Sequence, residues 1–188
     1  MRSRLGPLIL SLHLAALALA LAPPLFFGAV VAPSLFGVLP TRDMAAAVVS
    51  PILSRMCVIA EASFGALFAT AWLLTSAGAS KMSRSLLTRL PVLGFFSALV
   101  IRQLLIPPMD RIRAEAPGLI DNLPVADPSR AMLDRYHRLS TGFFGIEIAA
   151  ALIVLLATAR LLAARREEPP HSSAPRVVKP VPKVLNLD

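Results

Sequence analysis

Charged side chains inside long apolar runs are the residues of this sequence that could do chemistry. Glu61, Arg102 and Glu147 each interrupt a run of apolar residues. An ionisable group at membrane depth costs at least ~2.5–3.5 kcal/mol on insertion scales, so each of these residues should have a partner or a purpose. The candidate members of a buried polar cluster are Arg55, Glu61, Arg102, Asp134, His137, Arg138 and Glu147.

Two interpretations of this predicted cluster are open. In the first, it is a structural network of ion pairs that fixes helix order and rotation. Arg102 then pairs with Glu147 or Glu61, and Arg55 takes the other acid or caps loop carbonyls. In the second, the cluster handles a small charged solute, a proton or a metal cation. Because two arginines would neutralise the carboxylates and repel a cation, we favour the structural interpretation and predict no metal site.

The sequence shows no catalytic or cofactor-binding motif. It has no glycine-rich phosphate loop and no HExxH motif, and no Ser-His-Asp arrangement can be placed. The lone Cys57 excludes an intrachain disulfide and a metal site built on several thiolates. His13 and His137 are expected at opposite ends of the molecule, where they could not share a haem. We therefore predict no enzymatic activity and no cofactor, and interpret His13 as hydrogen-bonded packing.

The composition is typical of an integral membrane protein. Of the 188 residues 56% are hydrophobic and only 16% are charged, and the mean hydropathy is +0.70; soluble domains are usually ~45–50% apolar. About 20 apolar residues cross ~30 Å of hydrocarbon. We predict an all-α, polytopic membrane protein, a bundle of four transmembrane helices in one domain over residues 1–166. The predicted spans are residues 8–30, 43–76, 86–106 and 134–162.

The two ends of the chain carry separate predictions. Arg2 and Arg4 precede the first apolar run, and Ala18-Leu19-Ala20 is similar to a signal-peptidase site, so a cleaved signal peptide is the alternative to a retained span. The continued apolar character and Pro23-Pro24 favour a retained helix with a kink. Residues 167–188 are rich in proline and basic residues, and we predict a disordered tail there.

Prolines and small residues predict where the helices end and meet. Pro107-Pro108 is expected to end the third span, followed by a polar loop over residues 109–130, and Thr41 or Asp43 to cap the second helix. Small residues let helices approach closely in lipid. A stripe along the second helix is interpreted as a helix–helix interface, and consists of Ser50, Ser54, Cys57, Glu61, Gly65, Phe68 and Trp72. Three glycines could pack within the bundle or between copies, so a homo-oligomer is possible: Gly65, Gly94 and Gly145.

The basic residues predict the orientation in the membrane. With four spans, one side holds both termini and eleven Lys and Arg residues, and the other side holds six. Basic residues near span ends favour the cytoplasm, so we predict an inner-membrane protein with both termini cytoplasmic. The net charge of +8 is interpreted as contact with anionic lipid. The predicted partner is thus the lipid bilayer and not a nucleic acid.

Three short motifs support a family resemblance. They are VAPSLF at residues 31–36, IPPMDRIR at 106–113 and YHRLSTGFFGIEI at 136–148. Over about residues 8–162 the chain resembles the transmembrane-protein-205-like family, which in bacteria is a domain of unknown function, number 4149. Pro23-Pro24 departs from the pattern, since a Trp or Gly is expected there. The resemblance implies a four-helix integral membrane protein with no settled activity, no enzyme and no known cofactor.

The functional prediction follows from the cluster. The first hypothesis is a structural or interaction membrane protein whose buried ion pairs set its packing. The alternative is the transport or handling of a small solute or ion through the polar cluster, which the predicted orientation places in the outer half of the bundle.

Overall fold

The computed structural model describes residues 2–76, 81–124 and 126–167. Every regular element in these ranges is helical, which confirms the predicted all-α fold. The predicted tail lies outside the described residues from position 168 onward. The α-helices are α1 (Arg2–Phe26), α2 (Ala32–Val38), α3 (Arg42–Thr75), α4 (Lys81–Val100), α5 (Ile106–Glu115) and α6 (Pro128–Glu167).

These helices form four long rods. The first consists of α1 and α2, the second of α3, the third of α4 and α5, and the fourth of α6. A single π-helical turn joins the two helices of the first rod (Phe27–Val31) and of the third rod (Ile101–Leu105). Each rod contains a segment that is long and apolar enough to cross a membrane: Gly6–Val38, Arg42–Thr75, Arg84–Glu115 and Pro128–Ala164.

The prediction that Pro107-Pro108 ends the third helix is wrong. The π-helical turn precedes these prolines, and the Ile106 amide donates to the Ile101 carbonyl. The prolines then occupy the first turn of α5, where the missing N–H costs nothing because first-turn amides have no partner in the helix. The helix therefore continues to Glu115 and includes residues assigned to a loop. Pro33 is accommodated in the same way at the start of α2.

The first and third rods end, after α2 and α5, through a different effect of proline. Leu39 and Ala116 end α2 and α5 with ψ angles of 141° and 139°, and each is followed by a proline. A residue before proline is driven out of the helical region by a clash with the proline ring. After Pro40, the extended Thr41 caps α3, and its Oγ1 accepts a hydrogen bond from the Met44 amide at 3.2 Å. This confirms the capping prediction for Thr41.

The rods pack in a closed ring. α3 packs against α1 and α4, α4 packs against α6, and α6 closes on α1. Small residues fill the contacts between the helices, among them Ala20, Ala71, Ala98 and Ala151, all fully buried. Larger side chains fill the centre, including Phe64, Leu67, Leu87, Ile101 and Val154.

The interface stripe predicted on α3 is wrong in its rotation. Gly65, Phe68 and Trp72 are exposed, and only Cys57 of the predicted stripe is fully buried. The buried stripe is Cys57, Ala60, Phe64, Leu67 and Ala71. Both stripes share a helical spacing, so periodicity alone did not separate two neighbouring faces of one greasy helix.

The outer surface of the bundle is apolar. Leu12, Phe26, Phe96, Leu104 and Leu156 are all exposed on it. A water-soluble monomer rarely exposes apolar side chains as a contiguous belt, whereas lipid solvates them. With four rods of spanning length, this surface defines a multi-pass membrane protein.

The closest approach of two rods gives a first prediction. Gly94 of α4 lies directly against the ring of Phe64 of α3, and a Cβ at Gly94 would overlap that ring. Gly94→Ala should therefore lower the free energy of unfolding by ~1–3 kcal/mol, the usual cost of overpacking. The measurement is unfolding of purified protein in mixed micelles.

Gly65→Ala and Gly145→Ala are matched controls, since nothing lies within 4 Å of a Cβ at either position. They should leave stability unchanged or raise it slightly. Phe64→Leu should partly rescue Gly94→Ala. Equal losses at all three glycines would show that the bundle is not packed as described.

Candidate functional site

Two charged residues of the predicted cluster form an ion pair between α3 and the third rod. Arg102 donates through Nε to Glu61 Oε1 at 2.7 Å and through Nη2 to Glu61 Oε2 at 2.8 Å. Arg102 lies in the π-helical turn, one residue after the buried Ile101. A two-point contact of this kind fixes orientation as well as distance. Each charge is thus satisfied by the other, and neither needs a ligand.

The third acid of the predicted cluster has no such partner. Glu147 of α6 is 2% exposed, and its Oε1 atom is buried without a hydrogen bond in the described part of the chain. It faces a cavity of about 10 Å³ that is also lined by Leu19, Pro23 and Pro24 of α1 and by Cys57 of α3. Arg102 was predicted to pair with Glu147 or Glu61. Of these two acids, it contacts only Glu61.

The other four members of the predicted cluster do not join it. Arg55, Asp134, His137 and Arg138 are all exposed. Arg55 comes two residues before Cys57, and two residues turn a helix by about 200°, so it lies opposite the buried stripe. The other three lie near the start of α6, which begins at Pro128. All four side chains are therefore outside the buried core, and the prediction of a seven-residue buried cluster is wrong for them.

A cleft of about 240 Å³ opens where α3 and α6 begin. Its walls are mainly apolar and include Phe27, Phe36, Ile106, Met109 and Phe144. The first π-helical turn contains Phe27, and the second ends directly before Ile106. Both irregular turns therefore shape the cleft. Phe144 lines the small cavity of Glu147 as well. The cleft and the buried acid are therefore neighbours.

Polar groups lie on one side of the cleft. Ser140 and Thr141 line it, and each hydroxyl donates to the carbonyl of His137 at 2.9 Å. Arg113 lines it too, and its Nη1 donates to Asp110 at 3.2 Å. The Arg113 Nε atom is buried and has no hydrogen-bond partner among the described residues. The cleft thus combines apolar walls, hydroxyl oxygens and the guanidinium side chain of Arg113.

Contacts of α3 with α5 and with the segment that follows α5 hold this end of the bundle together. The Ser50 hydroxyl donates to both carboxylate oxygens of Asp110 at 2.8 Å. Asp43 accepts from the Ile120 amide at 2.6 Å, and Asp121 accepts from the Arg42 amide at 3.1 Å. Because these bonds join residues far apart in the sequence, they position Arg113 and Met109 against α3.

A second polar contact, at the opposite end of the bundle, joins three helices. His13 of α1 is 1% exposed; its Nδ1 lies 2.8 Å from Thr70 Oγ1 of α3, and its Nε2 lies 3.1 Å from Thr158 Oγ1 of α6. The sequence indicated packing for His13 but gave no partner. The available signal was two threonines in otherwise apolar runs.

Both threonines are also bonded to their own helices. Thr70 donates to the Ala66 carbonyl at 2.7 Å and Thr158 to the Val154 carbonyl at 2.8 Å. A hydroxyl has one proton, so the ring must donate through both nitrogens if both backbone bonds are made. With a neutral ring, one threonine must turn away from its carbonyl. We call His13, Thr70 and Thr158 the histidine clamp.

Residues 2–76, 81–124 and 126–167 contain no group of three or more His, Cys, Asp or Glu side chains that could hold a metal ion. Comparison with known proteins found no family model, no curated relative and no solved structure that matches the chain. Fold and site therefore define a class and no more: a four-helix, multi-pass membrane protein with a central ion pair, an isolated buried acid and a lateral cleft.

The ion pair gives the second prediction. Arg102→Met leaves the Glu61 carboxylate without its partner, whereas Arg102→Met with Glu61→Met removes both charges. The single variant should therefore unfold at a lower temperature than the double variant, because an uncompensated charge costs more than a missing pair. Melting temperatures in one detergent decide the order. The exposed pair Arg111–Glu115 is the control, and its single losses should be small and additive.

The histidine clamp gives the third prediction. In a double-mutant cycle, His13→Leu and Thr158→Val should show a coupling energy of about 0.6 kcal/mol, and not above ~1.7, the range for hydrogen bonds between membrane helices. Thr88 is the control, because its hydroxyl bonds only to carbonyls of its own helix. A cycle of His13→Leu with Thr88→Val should be additive. Coupling in both cycles would show that the coupling energy is not specific to the histidine clamp.

Proposed function

We propose that this membrane protein binds a small, mainly apolar molecule that carries a hydrogen-bond acceptor or an acidic group. The cleft is the observation that carries the proposal. An engineered apolar cavity of ~150 Å³ holds benzene, so a cleft of about 240 Å³ has room for a substituted ring or a short chain. Arg113 lines the cleft, and its guanidinium group would donate a hydrogen bond to an acceptor on the ligand.

The charge balance supports a weakly polar ligand over a free inorganic ion. Arg113 is already paired with Asp110, so the cleft carries little net charge from this pair. Its remaining polar atoms belong to hydroxyl groups and to His137. A hydrated ion needs several charged or polar ligands around it, whereas the walls offer mostly hydrocarbon. This proposal places solute handling in the cleft instead of the seven-residue cluster.

A structural or interaction role is the second candidate, and the Glu61–Arg102 pair favours it. That pair is satisfied internally and ties α3 to the third rod. A protein whose polar groups serve packing alone would need nothing further. Catalysis is not part of either proposal, because neither the cleft nor the ion pair presents an activated nucleophile.

The membrane in which the chain lies, its orientation and its protein family are also proposals. We place the chain in the inner membrane with both termini in the cytoplasm, on the balance of basic residues between the two sides. The cleft then opens toward the outer side, because α3 and α6 begin there. The resemblance to the transmembrane-protein-205-like family remains a proposal that rests on the three short motifs. We also propose a second copy of the chain as a partner.

Ligand binding in the cleft gives the fourth prediction. Purified protein in lipid nanodiscs should bind para-alkylbenzoates more tightly than the matched benzyl alcohols, measured by ligand-observed NMR against empty nanodiscs. Gly28→Leu should weaken binding about tenfold or more, a change of ~1.4 kcal/mol. Gly28 lines the cleft and has open space where its Cβ would lie, so the larger side chain fills the cleft without a backbone clash.

Two further variants control this experiment. Gly65→Leu adds the same side chain in open space away from the cleft and should bind as the wild type does. Arg113→Met keeps the length of the side chain but removes the donor, and should abolish the preference for the benzoate. Equal binding by the Gly28 and Gly65 variants, or no binding at all, would leave the structural role as the better proposal.

A further inference from the structure

The small cavity beside Glu147 borders a segment of α1 in which prolines deprive two backbone carbonyls of their helical donors. Pro23 and Pro24 have no N–H group. The Leu19 carbonyl therefore lacks the donor four residues on, and the Ala20 carbonyl lacks the donors both three and four residues on. Leu19, Pro23 and Pro24 line the cavity that Glu147 faces, and Ala20 is fully buried.

The carboxyl group itself adds another acceptor to this site. Glu147 Oε1 is buried without a partner among the described residues. An ionised carboxylate can only accept hydrogen bonds, whereas its protonated form donates one. Acceptors that face each other in hydrocarbon are unfavourable, because each keeps its desolvation penalty and gains no bond. One proton on the carboxyl would turn this arrangement into a donor–acceptor pair.

We propose that Glu147 and the carbonyl groups freed by Pro23 and Pro24 form a proton-binding site at the centre of the bundle. The carboxylate takes up a proton from water, and the new O–H bond donates to a carbonyl of Leu19 or Ala20. Loss of the proton to water reverses both steps. This site is separate from the ligand that the cleft binds, so either proposal can fail without the other.

None of the described titratable groups near Glu147 is available to neutralise its carboxylate. On α3, Cys57 lines the cavity, and Glu61 lies within electrostatic range of Glu147. Arg102, from the third rod, is held by Glu61 through two hydrogen bonds and is not free to neutralise Glu147. α1 contributes only apolar residues to the lining. The nearest charges are therefore a satisfied pair.

The size of the cavity excludes larger occupants. Its volume of about 10 Å³ is at the lower limit for a single water molecule. A metal ion with its oxygen ligands needs a wider, multidentate site, and no cluster of three His, Cys, Asp or Glu residues exists in the described ranges. A proton needs no added volume and is the occupant that this geometry fits.

Infrared spectroscopy of the full chain in nanodiscs tests the site, as the fifth prediction. The wild type at neutral pH should show a carboxylic-acid C=O band that Glu147→Gln removes and that raised pH abolishes. Glu61→Gln should leave this band in place, because both Glu61 carboxylate oxygens accept hydrogen bonds from Arg102 and the band is assigned to Glu147. Glu147→Asp keeps the acid and should shift the band, which covers the case in which the glutamine variant does not fold.

A proline variant tests the carbonyl partner separately. Pro24→Ala restores an N–H group that can donate to the Ala20 carbonyl, so the acid loses an acceptor and its band should move to higher frequency. Absence of an acid band in the wild type, or its persistence in Glu147→Gln, would overturn the proposal. So would stabilisation by sodium chloride over choline chloride that depends on Glu147, because the occupant would then be a cation.

Discussion

Polar groups that enter hydrocarbon must find their partners inside the bundle, and most features of this protein follow from that constraint. No water is available there to replace a missing hydrogen bond. Glu61 and Arg102 satisfy each other across two rods, and His13 lies between two threonines from two other helices. These contacts select one rotation for each helix, which apolar packing alone leaves almost free, because lipid is as apolar as leucine.

The prolines show how the backbone meets the same constraint. A proline inside a helix leaves a carbonyl without its donor, and in lipid that loss must be made up locally. Before Pro33 and before Pro107 the chain does so with a π-helical turn that places each proline in the first turn of a new helix. Both turns border the cleft. The irregular backbone at these two prolines therefore shapes the cleft that Ser140, Thr141 and Arg113 also line.

The sequence predicted the four helices and singled out Glu61, Arg102 and Glu147 as charges inside apolar runs, because long apolar runs and isolated charges are read directly from residue order. Helix rotation was not accessible in the same way. The stripe with Glu61 and Trp72 and the buried stripe with Phe64 and Ala71 differ by a small turn of α3, and only the contacts with other rods separate them. For the same reason, residue order could not decide whether Arg102 meets Glu61 or Glu147.

Glu147 is the exception that gives the arrangement its functional interest. The ion pair uses Arg102, and the Glu147 carboxyl is left in a cavity that two prolines line. A structural acid would be expected to keep a partner, since an unpaired buried charge destabilises the fold strongly. The histidine clamp closes the opposite end of the bundle, while Phe144 lies between Glu147 and the cleft. Phe144 is therefore shared by the lining of the cleft and the lining of the cavity of Glu147, whereas the histidine clamp is built from other residues.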